Sequence, residues 1–312
     1  MSFVGAMSNP AASFEPHRRR LLGLAYRMLG SMADAEDAVQ ETYLRWHAAD
    51  RNKVLDPRAF LMTTTARVCL DMLTSARARH EEYVGPWLPE PVVDTAALAP
   101  DSHTELAEDL SIALLLTLDR LSPLERAAFL LHDVFDFSFG EVATTLERSE
   151  AACRQLATRA REHVRAGRPR VTVAPPANSG EIDARHEELM SAFVAATRSG
   201  DLHALTQLLA GDVRVVTDGG GKVAAALNEL DGADRAARFL VGATRKGWRE
   251  DFTLRFATIN GLPGVIVDAP EGPVQTTAFE IESDVIWALY VVRNPDKLRH
   301  LATASAPQES PL

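Results

Sequence analysis

Hydrophobic residues recur at helical spacing through the first half of the chain and alternate with polar residues in its last third. The helical pattern runs over 14–83, where Gly30 ends one helix and Asp56-Pro57 opens another, and continues over 104–167. Alternating runs begin at Val213. The pattern therefore predicts two all-α blocks followed by an α+β domain.

Three helix starts are predicted in the second block. Ser122-Pro123-Leu124-Glu125 and Ser138-Phe139-Gly140-Glu141 are capping boxes, in which a serine and the glutamate three positions later satisfy the first backbone amides of a helix. Ser149 is the third N-cap and opens an arginine-rich helix that runs to about Arg165. Short helices separated by tight turns are typical of a helix-turn-helix domain.

The last third combines predicted helices and predicted strands. Helices are expected at 182–198, 202–209 and 233–245, and strands at 213–217, 252–260, 265–268, 274–281 and 285–292. Two proline-rich stretches, 84–103 and 168–180, lack sustained periodicity and are interpreted as linkers. The predicted domains are therefore 11–83, 104–167 and 181–302.

Charge is distributed unevenly along a chain whose net charge is -10. Residues 57–80 carry four arginines and one acid, and 148–170 carry seven arginines and two acids. Beyond Val171, 13 basic residues stand against 19 acidic ones. Two basic helices in an acidic protein indicate two contacts with nucleic acid, although plain solvated helix faces remain the alternative.

Cysteine content and hydropathy restrict the class of protein further. Cys69 and Cys153 lie far apart inside helical segments, so neither a disulfide framework nor a metal site is predicted. No apolar run approaches the roughly 20 residues of a membrane span, and the first ten residues lack a signal-peptide pattern. We expect a cytoplasmic protein without a metal or cofactor.

The run Asp34-Ala35-Glu36-Asp37-Ala38-Val39-Gln40-Glu41-Thr42-Tyr43-Leu44-Arg45 resembles the polymerase-binding helix of extracytoplasmic-function (ECF) sigma factors. The helix at 58–79 resembles the helix with which that family melts and reads the minus-ten element. The strings Leu121-Ser122-Pro123-Leu124-Glu125-Arg126 and Ser149-Glu150-Ala151-Ala152 resemble its reader of the minus-thirty-five element. The resemblance implies a promoter-specific transcription initiation factor whose partners are core RNA polymerase and promoter DNA.

This resemblance also implies roles for individual residues. The polymerase-binding residues would be Asp34, Glu36, Asp37, Gln40 and Glu41. The first block would contact DNA through Arg58, Thr64, Arg67, Arg77 and Arg79. The second would do so through Ser149, Glu150, Arg154, Gln155, Arg159 and Arg161, of which the last two are better placed for phosphates than for bases.

Three further strings are similar to signatures of the SigJ-like branch of this family, whose members carry a SnoaL-like domain. The last domain is predicted to modulate the sigma core in cis through contacts between domains. The residues predicted to make these contacts are Trp87, Leu88, Pro89, Glu90 and Pro91 in the linker, with Asp218, Gly219, Gly220, Gly221, Lys222, Asn294, Pro295, Asp296, Lys297 and Leu298 in the last domain. Trp87 and Leu88 need an apolar docking surface, and three glycines allow close backbone approach. An ordinary hairpin turn is the alternative for the glycines.

The sequence predicts no enzyme. Acid–base candidates in the last domain are His203, Asp218, Asp251, Asp268, Asp284 and Tyr290, and no two of them have the spacing of a recognised dyad. His186 and His300 are expected at the surface. A small-molecule ligand in the last domain stays open, and so does the alternative of a helix-turn-helix regulator with a ligand-sensing or enzymatic domain.

Overall fold

The computed structural model describes residues 10–81, 83–93, 98, 110–167 and 184–303. They belong to two compact units, one formed by Met1–Glu81 with Ala96–Arg168 and the other by Glu82–Thr95 with Pro169–Leu312. Of the predicted linkers, 94–97, 99–103 and 168–180 lie outside the described residues. Residues 84–93, expected to form part of an extended connector, belong to the second unit, and so does Tyr83, which was expected to end the first domain.

The first unit is all-α, as predicted. Its helices are α1 (Pro10–Leu29), α2 (Met32–Ala48), α3 (Pro57–Glu81), α4 (Ile112–Asp119), α5 (Pro123–Phe129), α6 (Phe139–Leu146) and α7 (Glu150–Gly167). Leu130–Val134 forms a π-helical turn that continues α5.

Helix boundaries follow the predicted local chemistry. Gly30 adopts a φ of 69° after α1, and Ser31 then caps α2 by accepting a hydrogen bond from the Asp34 amide. Both capping boxes are formed, with Ser122 at α5 and Ser138 at α6. Ser149 Oγ accepts from the Ala152 amide at the start of α7. These short-range contacts explain why boundaries in this unit could be read from sequence.

Buried arginines join the helices of the first unit. Arg126 at α5 is 5% exposed; its Nη1 donates to the Met28 carbonyl at the end of α1, and its Nη2 to the Asp119 carboxylate at 3.1 Å. Arg27 Nη1 donates to the Leu98 carbonyl at 3.2 Å. A buried guanidinium needs such acceptors, because an unpaired buried charge is strongly destabilising.

The second unit has the predicted α+β architecture. Its helices are α8 (Ala184–Ser199), α9 (Leu202–Leu208), α10 (Ala233–Gly247) and α11 (Arg299–Thr303). Its strands are β1 (Leu209–Asp218), β2 (Leu230–Asp231), β3 (Thr253–Ile259), β4 (Leu262–Ala269), β5 (Gly272–Glu282) and β6 (Val285–Val292). The two-residue strand β2 was not predicted, since it is too short to show a periodicity.

The strands form a mixed sheet in the order β2-β1-β6-β5-β4-β3. Only the β1–β6 pair is parallel, and it aligns Asp218 at the end of β1 with Val292 at the end of β6. The other described pairs are antiparallel. Residues 184–303 are called the cone domain below. Its core includes Phe193 of α8, whose ring lies edge-on to Phe279 of β5 with centroids 5.2 Å apart.

Within the described segments, no helix combines the length and apolar character needed to cross a membrane.

Arg126→Ala should destabilise the first unit by about 3 kcal/mol, because the buried Met28 carbonyl and the half-buried Asp119 lose their donor and the packed side chain is removed. Arg120→Ala is the matched control, because Arg120 is exposed and close in sequence. Its effect should stay within about 0.5 kcal/mol. Denaturant unfolding followed by far-ultraviolet circular dichroism measures both, and equal midpoints for the two variants would contradict the assignment.

Candidate functional site

Acidic side chains cover the outer face of α2. Ala35, Ala38 and Val39 are fully buried beneath it. The acidic face consists of Asp34, Glu36, Asp37, Gln40 and Glu41, of which Glu36, Asp37 and Gln40 are exposed and the other two half-buried. Among the described residues, one ion pair involves this face and joins Glu41 to Arg45 at 2.9 Å. The helix therefore presents carboxylates to solvent on a rigid support.

Arg67, predicted to contact DNA from α3, is engaged by α6. Its Nη2 donates to the Thr144 carbonyl at 2.8 Å, its Nε to the Thr145 carbonyl at 3.0 Å, and it pairs with the Glu147 carboxylate at 3.2 Å. Carbonyls at a helix C-terminus carry a partial negative charge and attract a guanidinium. Arg67 thus binds protein through the same donors that a phosphate would require.

Neighbouring residues of α3 extend this contact. Thr63 Oγ1 lies 3.0 Å from Thr145 Oγ1, and Arg58 Nη2 donates to the Phe135 carbonyl at 3.4 Å. Thr64 bonds only its own helix, through the Phe60 carbonyl. We call the set of Arg58, Thr63 and Arg67 with their partners the closed contact. The side chains of Arg77 and Arg79 lie outside the described part of the chain.

The N-terminal half of α7 is exposed. Its solvent-facing residues are Ser149, Glu150, Arg154, Gln155 and Arg159. Arg154 pairs with Glu150 at 2.6 Å, one turn away, and its guanidinium lies 5.3 Å from the centre of the Phe139 ring. Such a surface pair is weak and can exchange for a base or a phosphate.

Arg161 differs from the expectation of a free phosphate contact. Its Nε donates to the Asp133 carboxylate at 2.7 Å, and the two side chains are only 32% and 16% exposed. The pair joins α7 to the π-helical turn after α5. Arg161 therefore stabilises the domain through this ion pair, whereas Arg159, two positions earlier in α7, is exposed.

Asp218, at the end of β1, is the centre of a buried polar cluster. The residue is fully buried, and its Oδ1 accepts from the Tyr83 hydroxyl at 2.5 Å and from the Gly220 amide at 3.0 Å. Its Oδ2 accepts from the Leu88 amide at 2.9 Å and from Lys297 Nζ at 2.7 Å. Four donors around one carboxylate satisfy it completely.

Lys297 neutralises that carboxylate and holds the linker as well. Its Nζ donates to the Leu88 carbonyl at 2.5 Å and lies 4.4 Å from the centre of the Trp87 ring and 5.0 Å from that of Tyr83. Both aromatic faces add cation–π stabilisation. Lys297 and Asp218 therefore bind the two sides of Leu88, one at its carbonyl and one at its amide.

The glycine triplet lies against the same cluster. A Cβ on Gly220, whose φ is 58°, would stand 2.2 Å from Asn294 Nδ2 and 3.1 Å from the Tyr83 hydroxyl. Asn294 Nδ2 in turn donates to that hydroxyl at 2.9 Å. Lys222, after the triplet, pairs with Asp296. The close approach expected of these glycines is observed, and only glycine fits at Gly220.

Farther along, the linker continues to bind the cone domain. Leu88 is fully buried. The Pro91 carbonyl lies 2.7 Å from His300 Nε2, and Val92 exchanges two hydrogen bonds with Asn260, at 2.8 and 3.0 Å. His300, expected at the surface, is half-buried, with one ring nitrogen against the Pro91 carbonyl. We call the contacts of residues 83–92 with the cone domain the linker clamp.

The structure thus brings together the three strings that the sequence singled out, at 87–91, 218–222 and 294–298. Sequence reasoning missed Tyr83, Asn260 and His300. For Tyr83, an aromatic residue directly before a proline-rich segment was an available signal. For Asn260, the Asn-Gly dipeptide signals the hairpin turn between β3 and β4, where its φ is 50°, but nothing in the sequence signals its bonds to Val92.

A cavity of about 710 Å³ lies between the sheet of the cone domain and helices α8 and α10. Its lining is largely apolar and includes Phe193, Phe239, Trp248, Phe252 and Leu254. None of the six acid–base candidates of the sequence is among the described residues that line it. Most are held in structural pairs instead, such as Asp268 with Arg255 and Tyr290 with Glu280.

No group of three or more potential metal ligands occurs among the residues with described positions. Cys69 and Cys153 are both buried and free, and burial raises the pKa of each thiol. The arrangement offers these thiols no activating base.

Comparisons with known proteins identify the family. Residues 14–79 match the Sigma-70 region 2 family and residues 111–164 match the Sigma-70, region 4 family. The chain is 40% identical, over 92% of both sequences, to the ECF RNA polymerase sigma factor SigJ of Mycobacterium tuberculosis. It is 31% identical to the probable ECF RNA polymerase sigma factor SigI of that organism, over 92% of this chain and 94% of the relative.

A solved structure extends the similarity to the fold. The crystal structure of Mycobacterium tuberculosis SigJ superposes with a TM-score of 0.67 at 36% identity, covering 92% of this chain and 97% of that one. Region 2 contains the acidic face and α3, and region 4 contains α5 to α7. The chain therefore belongs to the ECF RNA polymerase sigma factors, a non-enzymatic family that binds core polymerase and promoter DNA and directs transcription initiation.

Proposed function

We propose that the cone domain modulates this sigma factor in cis through the linker clamp. The single observation that carries the proposal is the buried pair of Asp218 and Lys297, which binds Leu88 of the linker at both its amide and its carbonyl. Residues 82–95 belong to the same compact unit as the cone domain, yet in sequence they connect region 2 to region 4. A domain that holds this connector can control how far the two regions separate.

Energetics support a switchable clamp. Removing one partner of a buried, hydrogen-bonded pair costs about 3 to 5 kcal/mol, because the other charge is left uncompensated. Burial, followed by the hydrogen bond to Asp218, also raises the pKa of Tyr83, so that its hydroxyl stays a donor. Because Tyr83 and Leu88 both bind the Asp218–Lys297 pair, breaking one contact weakens the others, and residues 83–92 are expected to leave the clamp together.

The closed contact is proposed as the resting state of the sigma core. The family resemblance assigns Arg67 and Arg58 to promoter DNA. Here both donate to carbonyls of region 4, Arg67 to the end of α6 and Arg58 to Phe135 in the turn before α6. A guanidinium cannot serve both partners at once. Promoter binding then requires that regions 2 and 4 separate, a population shift that polymerase would drive by binding the open form.

Surfaces that stay exposed are proposed to make the first contacts. The acidic face of α2 would bind a basic surface of core polymerase, and Arg154 and Gln155 of α7 would read bases of the minus-thirty-five element. Arg159 would contact phosphates. The cavity of the cone domain would receive a small molecule. Since core polymerase is cytoplasmic, the proposal includes action in the cytoplasm.

Reversing charge at Asp37 and Glu41 with Asp37→Lys and Glu41→Lys should reduce core polymerase binding by roughly a hundredfold, because two attractive contacts become repulsive. The matched control is Glu187→Lys with Glu188→Lys, which makes the same charge change at exposed positions of α8. Pull-down at moderate salt compares the two. If both double variants retain binding, the chain acts without this face, as a regulator that binds DNA alone would.

Locking the closed contact should silence the protein. Thr63→Cys with Thr145→Cys replaces two hydroxyls that lie 3.0 Å apart, so that oxidation can link α3 to α6. Run-off transcription should fall to background when oxidised and recover with reductant. Each single cysteine variant is the control, because native Cys69 and Cys153 are buried. Full activity of the linked protein would show that regions 2 and 4 need not separate.

Opening the clamp should lower transcription about fivefold or more, and also relax the dependence on promoter spacing. Trp87→Ala removes the ring that faces Lys297, and Gly220→Ala forces Asn294 and Tyr83 apart. Since both break one contact, the double variant should cost less than the sum of the single effects. Gly232→Ala is the control, because its φ of 91° brings similar strain, the new Cβ meets only an ordinary contact at 3.8 Å from the Gly211 carbonyl oxygen, and Gly232 takes no part in the linker clamp. Strict additivity, or equal loss in the control, would refute clamp control.

A further inference from the structure

Charge in the cavity of the cone domain is of one sign. Its lining contains four cations, Arg198, Arg238, Lys246 and Arg293, and no described lining residue is acidic. This is unexpected, because beyond Val171 acidic residues outnumber basic ones by 19 to 13. A solvated surface with that composition would present both signs. The one-sided lining points to an anionic occupant.

Arg293 is the cation that distinguishes the interior from the rim. Its Nε is buried and has no hydrogen-bond partner among the described residues, while its Nη1 donates to the Ala224 carbonyl at 2.6 Å. Arg293 forms no ion pair with any other described residue. Burial lowers the pKa of this guanidinium, and a carboxylate beside it would reverse that effect. Among the described residues only Nη1 of this guanidinium has an acceptor, so an anion beside it would find free Nη2 donors.

The three other cations lie at exposed positions. Arg238 already pairs with Asp234 on its own helix, and Arg198 lies 4.5 Å from the centre of the Trp248 ring. Lys246 is exposed at the end of α10. Their charge would attract an anion to the entrance, whereas Arg293 offers hydrogen bonds inside.

The rest of the lining suits an apolar body. Phe239, Trp248, Phe252 and Leu254 are only partly buried, although they line the interior of the domain. Gln275 and Thr277, which hydrogen-bond each other at 3.1 Å, are polar lining residues of β5. A volume of about 710 Å³ is within the range of small-molecule sites. A fully polar anion would leave these apolar groups unmatched.

We propose that the cavity binds a monoanionic amphiphile, a carboxylic acid with a fatty or polycyclic apolar body, whose carboxylate pairs with Arg293. A guanidinium presents its donors in the planar geometry that a carboxylate accepts. This inference rests on the proposal that the cavity receives a small molecule, and it is independent of clamp control. It also has a structural consequence, because the Arg293 amide donates to the Asp218 carbonyl at 2.7 Å. The ligand site and the linker clamp therefore meet at the end of β6.

Isothermal titration of the full-length protein tests the proposal with matched probes. Dodecanoate and dodecanamide have the same chain and differ in charge, and anthracene-carboxylate presents the same head group on an aromatic body. We expect both carboxylates to bind, with dodecanoate at least tenfold tighter than dodecanamide. The tighter of the two acids identifies the kind of apolar body.

Three variants locate the site. Arg293→Gln should weaken dodecanoate roughly tenfold or more and leave dodecanamide unchanged. Arg235→Gln is the control, since Arg235 is exposed on α10 and does not line the cavity. Gly242→Leu should abolish binding of all probes. Gly242 lies in the middle of α10 and lines the cavity, and a Cβ there meets no atom within 4 Å, so that a leucine side chain would occupy space that a ligand needs.

Each failure has a distinct meaning. Equal affinity of the intact protein for dodecanoate and dodecanamide would overturn the anionic class while leaving small-molecule binding intact. Absence of binding by every probe would overturn both. An unchanged dodecanoate affinity in Arg293→Gln would overturn the role of Arg293. Because the comparison of the two probes uses the native sequence, it is decisive even if a variant fails to fold, which thermal unfolding would reveal.

Discussion

A single buried carboxylate, that of Asp218, organises the second half of this protein. A charge without exposure to solvent is stable only when every lone pair is used, and Asp218 meets that condition with donors from Tyr83, Leu88, Gly220 and Lys297. Two of those donors belong to the linker and two to the cone domain. The linker is therefore part of how the cone domain satisfies its own interior, which is why a segment with many prolines is ordered here.

The first half follows a similar rule with the opposite sign of charge. Arg67 and Arg126 donate to carbonyls of other helices, and in doing so hold regions 2 and 4 together. The two differ in exposure, because Arg126 is buried whereas Arg67 remains 41% exposed. Arg126 is thus a structural tie, whereas Arg67 is the residue proposed to exchange carbonyls for phosphates when the closed contact opens.

These properties connect the proposed modulation with the proposed ligand. The segment that ends β6 presents Arg293 to the cavity through its side chain and binds Asp218 through its backbone. An anion that draws the Arg293 side chain inward acts on residues adjoining the clamp. The coupling requires only short-range contacts along one strand end, with no distant relay. Under the two proposals together, occupancy of the cavity has a direct physical route to the position of the linker.

Much of this protein is determined by its sequence alone, where the controlling interactions are local. Capping boxes, Pro57 and Gly30 act within one helical turn, so helix boundaries, the helix-turn-helix and the α+β class were predicted correctly, and motifs of ECF sigma factors identified the family. Tertiary structure decided the rest. Three contacts join residues far apart in the chain: Arg161 pairs with Asp133, His300 contacts Pro91, and Arg67 binds α6. A side chain's partner is set by which surfaces meet on folding, and periodicity along one segment carries no information about the opposing surface.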